Sequence, residues 1–202
     1  MARGYRLVLP PPWRRINLLT DLEPQVDEIV ERGARLIPKE ISPDQAGPLK
    51  RQMRARLLTQ VVDARERGGL DFYFTDGEQH GFAYNATFVV SGLVTSTLDA
   101  ADVADALTEQ FRRGADPVEI RDVLWARREF TETGEMTPDG KEPVAARRVD
   151  YMTAVPDDPR RWIMVTFSTI ADGDPEGRLS ALVVQLFDAM MTTWSWTSEP
   201  TG

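Results

Sequence analysis

The sequence predicts an α+β fold, an α/β/α sandwich with a mostly antiparallel sheet of about six strands and helices on both of its faces. Apolar residues recur at helical spacing in some segments and at alternate positions in others. Short sequences rich in proline, glycine and aspartate separate the strand-like segments, and strands joined by such turns lie antiparallel. The predicted order is therefore strand, two helices, two strands, helix, three strands and helix.

The N-terminal third is predicted to form one strand and two helices. Residues 5–9 form the strand, which the following prolines end, and Trp13 then closes one end of the core. Thr20 is predicted to cap the first helix, and Pro43 begins a second long helix that ends at Gly68. Both helices carry an apolar stripe, so we expect them to pack on other elements.

The remaining strands are predicted from alternating or continuous apolar runs. Residues 83–95 are apolar on both faces, which is typical of a central strand covered on both sides. Asp99 caps a shorter helix that follows this strand. The predicted strands after the first two helices are residues 70–74, 83–95, 118–131, 144–155 and 161–170.

The last helix is predicted to span residues 175–194, with Asp174 as its N-cap and Pro175 as its first residue. One arc of this helix is wide and apolar, so we expect it to pack on the sheet formed by the last three strands. Phe187 lies in the middle of the arc and is predicted to be a core residue. The arc consists of Leu179, Leu182, Val183, Leu186, Phe187, Met190 and Trp194.

The composition is that of an ordinary globular protein, with 42% apolar and 28% charged residues. No low-complexity linker divides the 202 residues, so a single domain over residues 1–202 is predicted. The absence of cysteine excludes disulfides and thiolate metal sites. The N-terminal residues contain no apolar run long enough for a signal peptide or a membrane span, so we expect a cytoplasmic protein.

The formal net charge of −8 is unevenly distributed along the chain. The first 68 residues carry 13 basic and 9 acidic side chains, whereas no lysine or arginine lies between Arg67 and Arg112. An acidic surface of this kind repels phosphate, so we expect no nucleic-acid partner. The alternative is nucleic-acid binding by the basic flanks of the second helix together with Arg3, Arg6, Arg14 and Arg15.

The sequence contains no motif typical of catalysis. His80 is the only histidine and lies in a predicted polar turn, so it cannot form a two-histidine metal site. Neither a glycine-rich phosphate-binding motif nor a nucleophile elbow occurs. Asp172 and Asp174 superficially resemble a calcium loop, but capping of the following helix explains them. We therefore predict no catalytic residues, no cofactor and no metal site.

Trp196 lies beyond the last helix, where helical periodicity does not require its burial. It either latches the C-terminal segment onto the core or anchors a protein partner. The latch is the favoured interpretation, and Trp196 is the one candidate partner-binding residue.

Two parts of the sequence resemble the PsbP-like superfamily, which includes the Ran-binding import factor Mog, bacterial lipoproteins and secretion accessories. The first is a strand followed by proline and tryptophan, residues 5–13, and the second is a closing strand and helix, residues 162–170 and 182–194. The predicted order of elements is similar over nearly the whole chain, although the helical pair before Leu70 is longer than in the family.

The resemblance implies an α/β/α sandwich and a non-enzymatic role as a regulator, assembly factor or chaperone. Lipoprotein members of the family would carry a lipobox cysteine, which this chain lacks. A composition rich in alanine, arginine and aspartate resembles that of actinobacterial proteins, whose relatives of this type look like accessories of type VII secretion systems.

The leading hypothesis is therefore a non-enzymatic interaction module with an unknown protein partner. The alternative is a small-ligand-binding protein or an enzyme that uses a cleft between the sheet and the helices.

Overall fold

A computed structural model describes residues 4–35, 43–79, 82–133, 145–171 and 173–198. The helices are α1 (Leu22–Ala34), α2 (Pro43–Glu66), α3 (Ala100–Arg112) and α4 (Arg178–Met191). The strands are β1 (Gly4–Arg6), β2 (Trp13–Asn17), β3 (Gly69–Thr75), β4 (Glu78–Gln79), β5 (Phe82–Ala83), β6 (Asn85–Val94), β7 (Asp116–Ile120), β8 (Val123–Thr133), β9 (Ala145–Val155), β10 (Asp158–Ala171) and β11 (Ser195–Thr197).

Seven strands form one antiparallel sheet in the order β2-β3-β6-β10-β9-β8-β7. Strands β1 and β11 form a second, two-stranded sheet, and β4 and β5 form a short hairpin. The predicted α+β sandwich with helices on both faces of an antiparallel sheet is confirmed. The short turns between β7 and β8 and between β9 and β10 place each of these strands beside the one before it. Strands β6 and β10 become neighbours although α3 and three strands lie between them in the sequence.

The α4 face of the sheet carries the larger core. Strand residues that point to this side include Phe88, Tyr151 and Phe167, which cluster with Phe187 of α4. The rings of Phe167 and Phe187 are stacked with their centroids 4.4 Å apart, and Phe187 is 0% exposed. The prediction that Phe187 belongs to the core is confirmed.

The opposite face, here called the groove face, carries two smaller cores. Helices α1 and α2 cover one end of it and pack on Ile16 and Phe72. Helix α3 covers the other end, where Leu107 packs with Ala154 and Trp162. These two clusters share no residue. The helices therefore leave a strip of the groove face between them.

Helix α4 begins later than predicted. Asp174 accepts hydrogen bonds from the backbone N–H of Glu176 at 3.0 Å and of Gly177 at 3.1 Å, which makes a turn before the helix. Gly177 is the N-cap and Arg178 the first helical residue. The buried side is also rotated, because Leu182 is 50% exposed whereas Ser180, Val184 and Met191 are buried.

Three N-terminal and strand predictions are wrong in detail. Asp21, not Thr20, caps α1, and its carboxylate accepts from the N–H of Glu23 at 3.3 Å. The predicted strand 5–9 is the shorter β1, and Trp13, which is buried in the core as predicted, begins β2, an edge strand of the large sheet. The predicted strand 118–131 is two strands, β7 and β8, because Arg121 and Asp122 adopt φ angles of 49° and 63° and form a tight turn.

Side-chain ion pairs hold two of the helices in place. Asp188 of α4 receives two hydrogen bonds from the guanidinium of Arg127 on β8, at 3.0 and 2.8 Å, and a third from the hydroxyl of Tyr151 at 2.8 Å. Arg54 of α2 pairs with Asp27 of α1 at 2.6 Å. Within the described residues, no helix is long and apolar enough to cross a membrane.

Candidate functional site

A groove runs over the strip of the groove face that the helices leave uncovered. It consists of two adjoining cavities of about 530 and 490 Å³, which share Gln60, Phe72 and Thr87 as lining residues. Helix α2 forms one wall, and strands β6 and β10 form the floor. The cleft between the sheet and the two-helix pair, which the alternative hypothesis requires, therefore exists as an open groove.

Strict alternation along the central strands makes the floor polar. In β10, Val165 and Phe167 point to the α4 face and are 0% exposed, whereas Thr166 and Ser168 point into the groove. Because neighbouring residues of a strand point to opposite faces, a single strand can fill the core on one side and present hydroxyl groups on the other. Thr87 and Ser91 of β6 extend the hydroxyl floor.

The strand pairing places the polar side chains in two rows across the sheet. In one row Asp150 lies between Thr166 and Arg128 on the neighbouring strands. In the next row Arg148 lies between Ser168 and Phe130. Directly paired residues on one face have side chains close enough to interact. The two rows therefore form a contiguous polar surface over three central strands.

Asp150 is the half-buried carboxylate of this surface. Burial raises the pKa of Asp150 above its ordinary value, and the hydrogen bond with Thr166 and the positive charges of Arg148 and Arg128 only partly oppose this effect. Its Oδ1 atom is buried and has no hydrogen-bond partner among the described residues. Asp150 is therefore a buried acceptor beside Thr166 and Arg148, and it is not itself among the lining residues of the two cavities.

Arg148 provides a donor beside this acceptor. Its guanidinium forms an ion pair with Glu132, and its Nε is buried without a hydrogen-bond partner in the part of the chain that the structure describes. The aromatic ring of Phe130 lies 5.8 Å from the guanidinium carbon of Arg148 and 5.3 Å from that of Arg128. Phe130 therefore orients both arginines by cation–π contact.

The groove lining is positive although the chain is negative. The charged residues that line the two cavities are Arg56, Arg67, Arg148 and Asp63. Arg148 is paired with Glu132, so the remaining charges sum to +2 − 1 = +1 on a chain of formal net charge −8. Arg56 and Arg67 are exposed and form no ion pair with the described residues. The groove therefore favours an anionic ligand over a cationic one.

The described residues contain no metal-binding cluster, and one of their carboxyl groups has a raised pKa. No group of three or more His, Asp or Glu side chains among them could hold a metal ion. His80, the one histidine of the chain, lies outside the described residues. Asp150 is the group that a general acid–base role would use, and its described hydrogen-bond partner is the hydroxyl of Thr166.

Trp196, the residue selected from the sequence, lies far from the groove. It belongs to β11, opposite Tyr5 of β1, and packs on the core of the α4 face. Its ring is stacked over Trp125 at 6.3 Å and meets Trp194 edge-on at 5.6 Å. It is half-buried, and its role as a partner anchor stays a prediction.

The arginines of the nucleic-acid alternative do not form one exposed patch. Arg15 is bonded to the buried carboxylate of Asp71 at 2.7 Å, and Arg14 lies 3.6 Å from Asp76. On the basic flank of α2, Lys50 and Arg54 pair with acidic residues of α1. Arg3 lies outside the described residues.

Comparison of the chain with protein-family models, with curated proteins and with solved structures finds no match. The residues of the groove and their geometry are therefore the basis for assigning a function.

The sequence contained a signal for this groove that the prediction missed. Both β9 and β10 alternate between apolar residues and polar ones, with Arg148 and Asp150 in the first and Thr166 and Ser168 in the second. The prediction treated the central sheet as covered on both sides, because β6 carries Val89 and Leu93 on its second face. Only the strand order shows that the polar positions of β9 and β10 lie side by side.

Proposed function

We propose that this protein is a non-enzymatic interaction module and that the groove beside α2 is its partner-binding surface. The observation that carries the proposal is the polar character of the central strands on one face only. Folding alone favours apolar residues at the centre of a sheet, and β9 and β10 obey this rule on the α4 face. Thr166, Ser168 and Arg148, which line the groove, depart from it.

A protein partner suits the open form of this site. Its two cavities share lining residues along one wall of α2, and both are partly open to solvent. Sites for small molecules usually enclose most of the ligand, whereas a long open groove with polar walls is typical of surfaces that bind a polypeptide.

The finer form of the proposal is a role as an assembly factor or chaperone of a type VII-like secretion system. This role rests on the resemblance to PsbP-like proteins at residues 5–13 and at the closing strand and helix. Co-purification of the protein with secretion components from the native organism tests it. Co-purification with metabolic enzymes alone would contradict it.

A small-ligand-binding role is the second candidate function. The buried Oδ1 of Asp150 and the buried Nε of Arg148 have no hydrogen-bond partner among the described residues, and a ligand that both donates and accepts hydrogen bonds would satisfy them. Native mass spectrometry of protein purified from its own organism tests this candidate. A bound mass of a few hundred daltons, lost on Asp150→Ala, would support it.

Site-specific photo-crosslinking tests the proposed function. A photo-reactive residue replaces Ser168 in the groove or, as the control, Leu182, which is 50% exposed on the opposite side of the sheet. We expect one set of protein adducts from the groove position in native lysate and none of these from the control position. Equal labelling from both positions, or a copurifying metabolite with no protein adduct, would refute the proposal.

A further inference from the structure

We infer that the occupant of the groove is an extended, acidic polypeptide segment that lies along β10. This inference rests on the proposed function, since it specifies the chemistry of the partner at the same site. Three features carry it: the length of the groove, the arrangement of its positive charges and the chemistry of its floor.

The length of the groove fits an extended chain. The lining residues of β10 run from Met164 to Ile170, a span of about 20 Å at ~3.3 Å per strand residue. An extended peptide of about six residues has the same length. A small acid such as glutamate would occupy only one end of this span.

Two arginines lie on the wall that α2 forms: Arg56 in the helix and Arg67 directly after its last residue, where the N–H of Arg67 still donates to the carbonyl of Asp63 at 3.2 Å. Arg56 and Arg67 are 11 positions apart in the sequence, which places them on the same edge of the helix and about 16 Å apart along its axis. Both line the groove, one in each cavity. Asp63 lies between them on the same edge. Acidic side chains of a partner are therefore favoured near the two ends of the groove and disfavoured at its middle.

The floor offers hydrogen bonds that do not depend on a partner's side chains. The hydroxyls of Thr87, Thr166 and Ser168 can each donate and accept, as the N–H and C=O groups of a peptide backbone require. Apolar surface lies beside them at Phe72 and Met164. Because alternate residues of an extended peptide point to opposite sides, acidic residues can face α2 while apolar ones face the sheet.

Binding of designed peptides tests the inference. The probe is a labelled peptide of about eight residues that alternates glutamate and leucine, and the comparison peptide has lysine in place of glutamate. We expect fluorescence anisotropy to show binding of the acidic peptide at least about tenfold tighter than that of the lysine peptide, with an affinity that falls as salt increases.

Charge-reversal variants test whether the acidic peptide binds in the groove. The double variant Arg56→Glu, Arg67→Glu should weaken binding of the acidic peptide by about tenfold or more. Arg51→Glu makes the same type of change on α2 at an exposed residue that does not line the groove, and it should change the affinity by less than about twofold. Far-ultraviolet circular dichroism confirms that each variant is folded.

The inference fails if the lysine peptide binds equally well, if the double variant binds like Arg51→Glu, or if free glutamate displaces the peptide completely. Each of these results leaves the proposed function standing when the Ser168 position still crosslinks a protein in the groove. Loss of both the crosslink and the peptide binding refutes the proposed function together with the inference. The two failures are therefore distinguishable.

Discussion

The phenol of Tyr5 donates a hydrogen bond to the carboxylate of Asp71, which is 2% exposed. Arg15 donates to the other oxygen of the same carboxylate at 2.7 Å, and the hydroxyl of Tyr73 lies 2.9 Å from that of Tyr5. Tyr5 also stacks on Trp194 with ring centroids 4.2 Å apart. One residue of the two-stranded sheet therefore joins the edge of the large sheet to the end of α4.

This network predicts a loss of stability at alkaline pH. Burial raises the pKa of both Tyr5 and Tyr73 above the ordinary value of 10.0. The folded state therefore holds the phenolic protons of these two tyrosines more tightly than the unfolded state does. Their contribution to the free energy of unfolding is complete below pH ~10 and falls as the pH rises further. Urea denaturation at pH 8 and above pH 10 measures this decline in the free energy of unfolding.

The variant Tyr5→Phe tests whether Tyr5 causes the loss of stability at alkaline pH. It keeps the ring that stacks on Trp194 but removes one donor to the buried Asp71, so the free energy of unfolding at pH 8 should fall by about 1–3 kcal/mol. The variant should then lose less stability than the wild type above pH ~10. Parallel declines in the two proteins would mean that Tyr5 does not cause the effect.

Phe187 and Leu182 should respond differently to the same substitution. Phe187 is 0% exposed and packs between Phe88 and Phe167, so Phe187→Asp buries an unpaired carboxylate and should unfold the protein, at a cost above about 4 kcal/mol. Leu182 is 50% exposed on the same helix, and Leu182→Asp should change stability by less than about 0.5 kcal/mol. Thermal melts measure both. A folded Phe187→Asp variant that has lost partner binding would show that this surface is an interface.

Asp150→Asn should stabilise the protein at neutral pH. Burial raises the pKa of Asp150, which means that the folded state favours the protonated carboxyl. Ionisation of the Asp150 carboxyl therefore destabilises the folded protein as the pH rises through the pKa of this group in the folded state. The amide of the variant stays neutral and does not cause this destabilisation. The melting temperature of the variant should exceed that of the wild type at pH 7 and approach it near pH 3.

The control for Asp150→Asn is Asp63→Asn, at an exposed aspartate of the groove wall. Its melting temperature should follow the wild type at both pH values. A gain in stability together with weaker binding in Asp150→Asn would fit a site where function is kept at the expense of stability. A loss of stability at pH 7 would contradict the burial effect.

Trp196→Ala separates the two interpretations of this tryptophan. Its half-buried ring packs on Trp125 and Trp194, so the truncation should lower the free energy of unfolding by about 1–3 kcal/mol. Binding to the groove should be unaffected, because Trp196 lies on the α4 face. A variant of unchanged stability that no longer binds its partner would instead identify Trp196 as an anchor.

We expect no retention on heparin at physiological ionic strength. Lys50 and Arg54 on the basic flank of α2 already pair with Glu31, Glu23 and Asp27 of α1. Fewer cations on this flank can therefore release phosphate counterions. Chromatography over a range of salt concentrations measures this. Binding at low salt that weakens steeply with added salt would support the nucleic-acid alternative.

Much of the fold could be predicted because its long elements have strong periodicity. The apolar spacing of α3 and α4 and the alternation in β9 and β10 depend on local sequence alone. Strands β2 and β11 were not predicted, because each is short and is stabilised by a strand distant in the sequence. Strand β2 pairs with β3, where Phe72 lies, and β11 pairs with β1, where Tyr5 lies. Helix α4 begins late because Asp174 closes a turn first.

The groove could not be predicted, because it depends on relations between strands. Arg148 and Thr166 become neighbours only through the register of β9 with β10, and the strip they occupy is open only because α2 and α3 cover the two ends of the sheet. Periodicity indicates that a position is polar. It does not indicate whether a helix covers that position.

Strand β1 pairs with β11 so that Gly4 lies opposite Thr197, on the side of the sheet away from the groove. A chemical linker attached to either of these strands therefore lies on the side of the molecule opposite the groove. A protein tethered to a surface through a linker at Gly4 or Thr197 presents its groove to the solution.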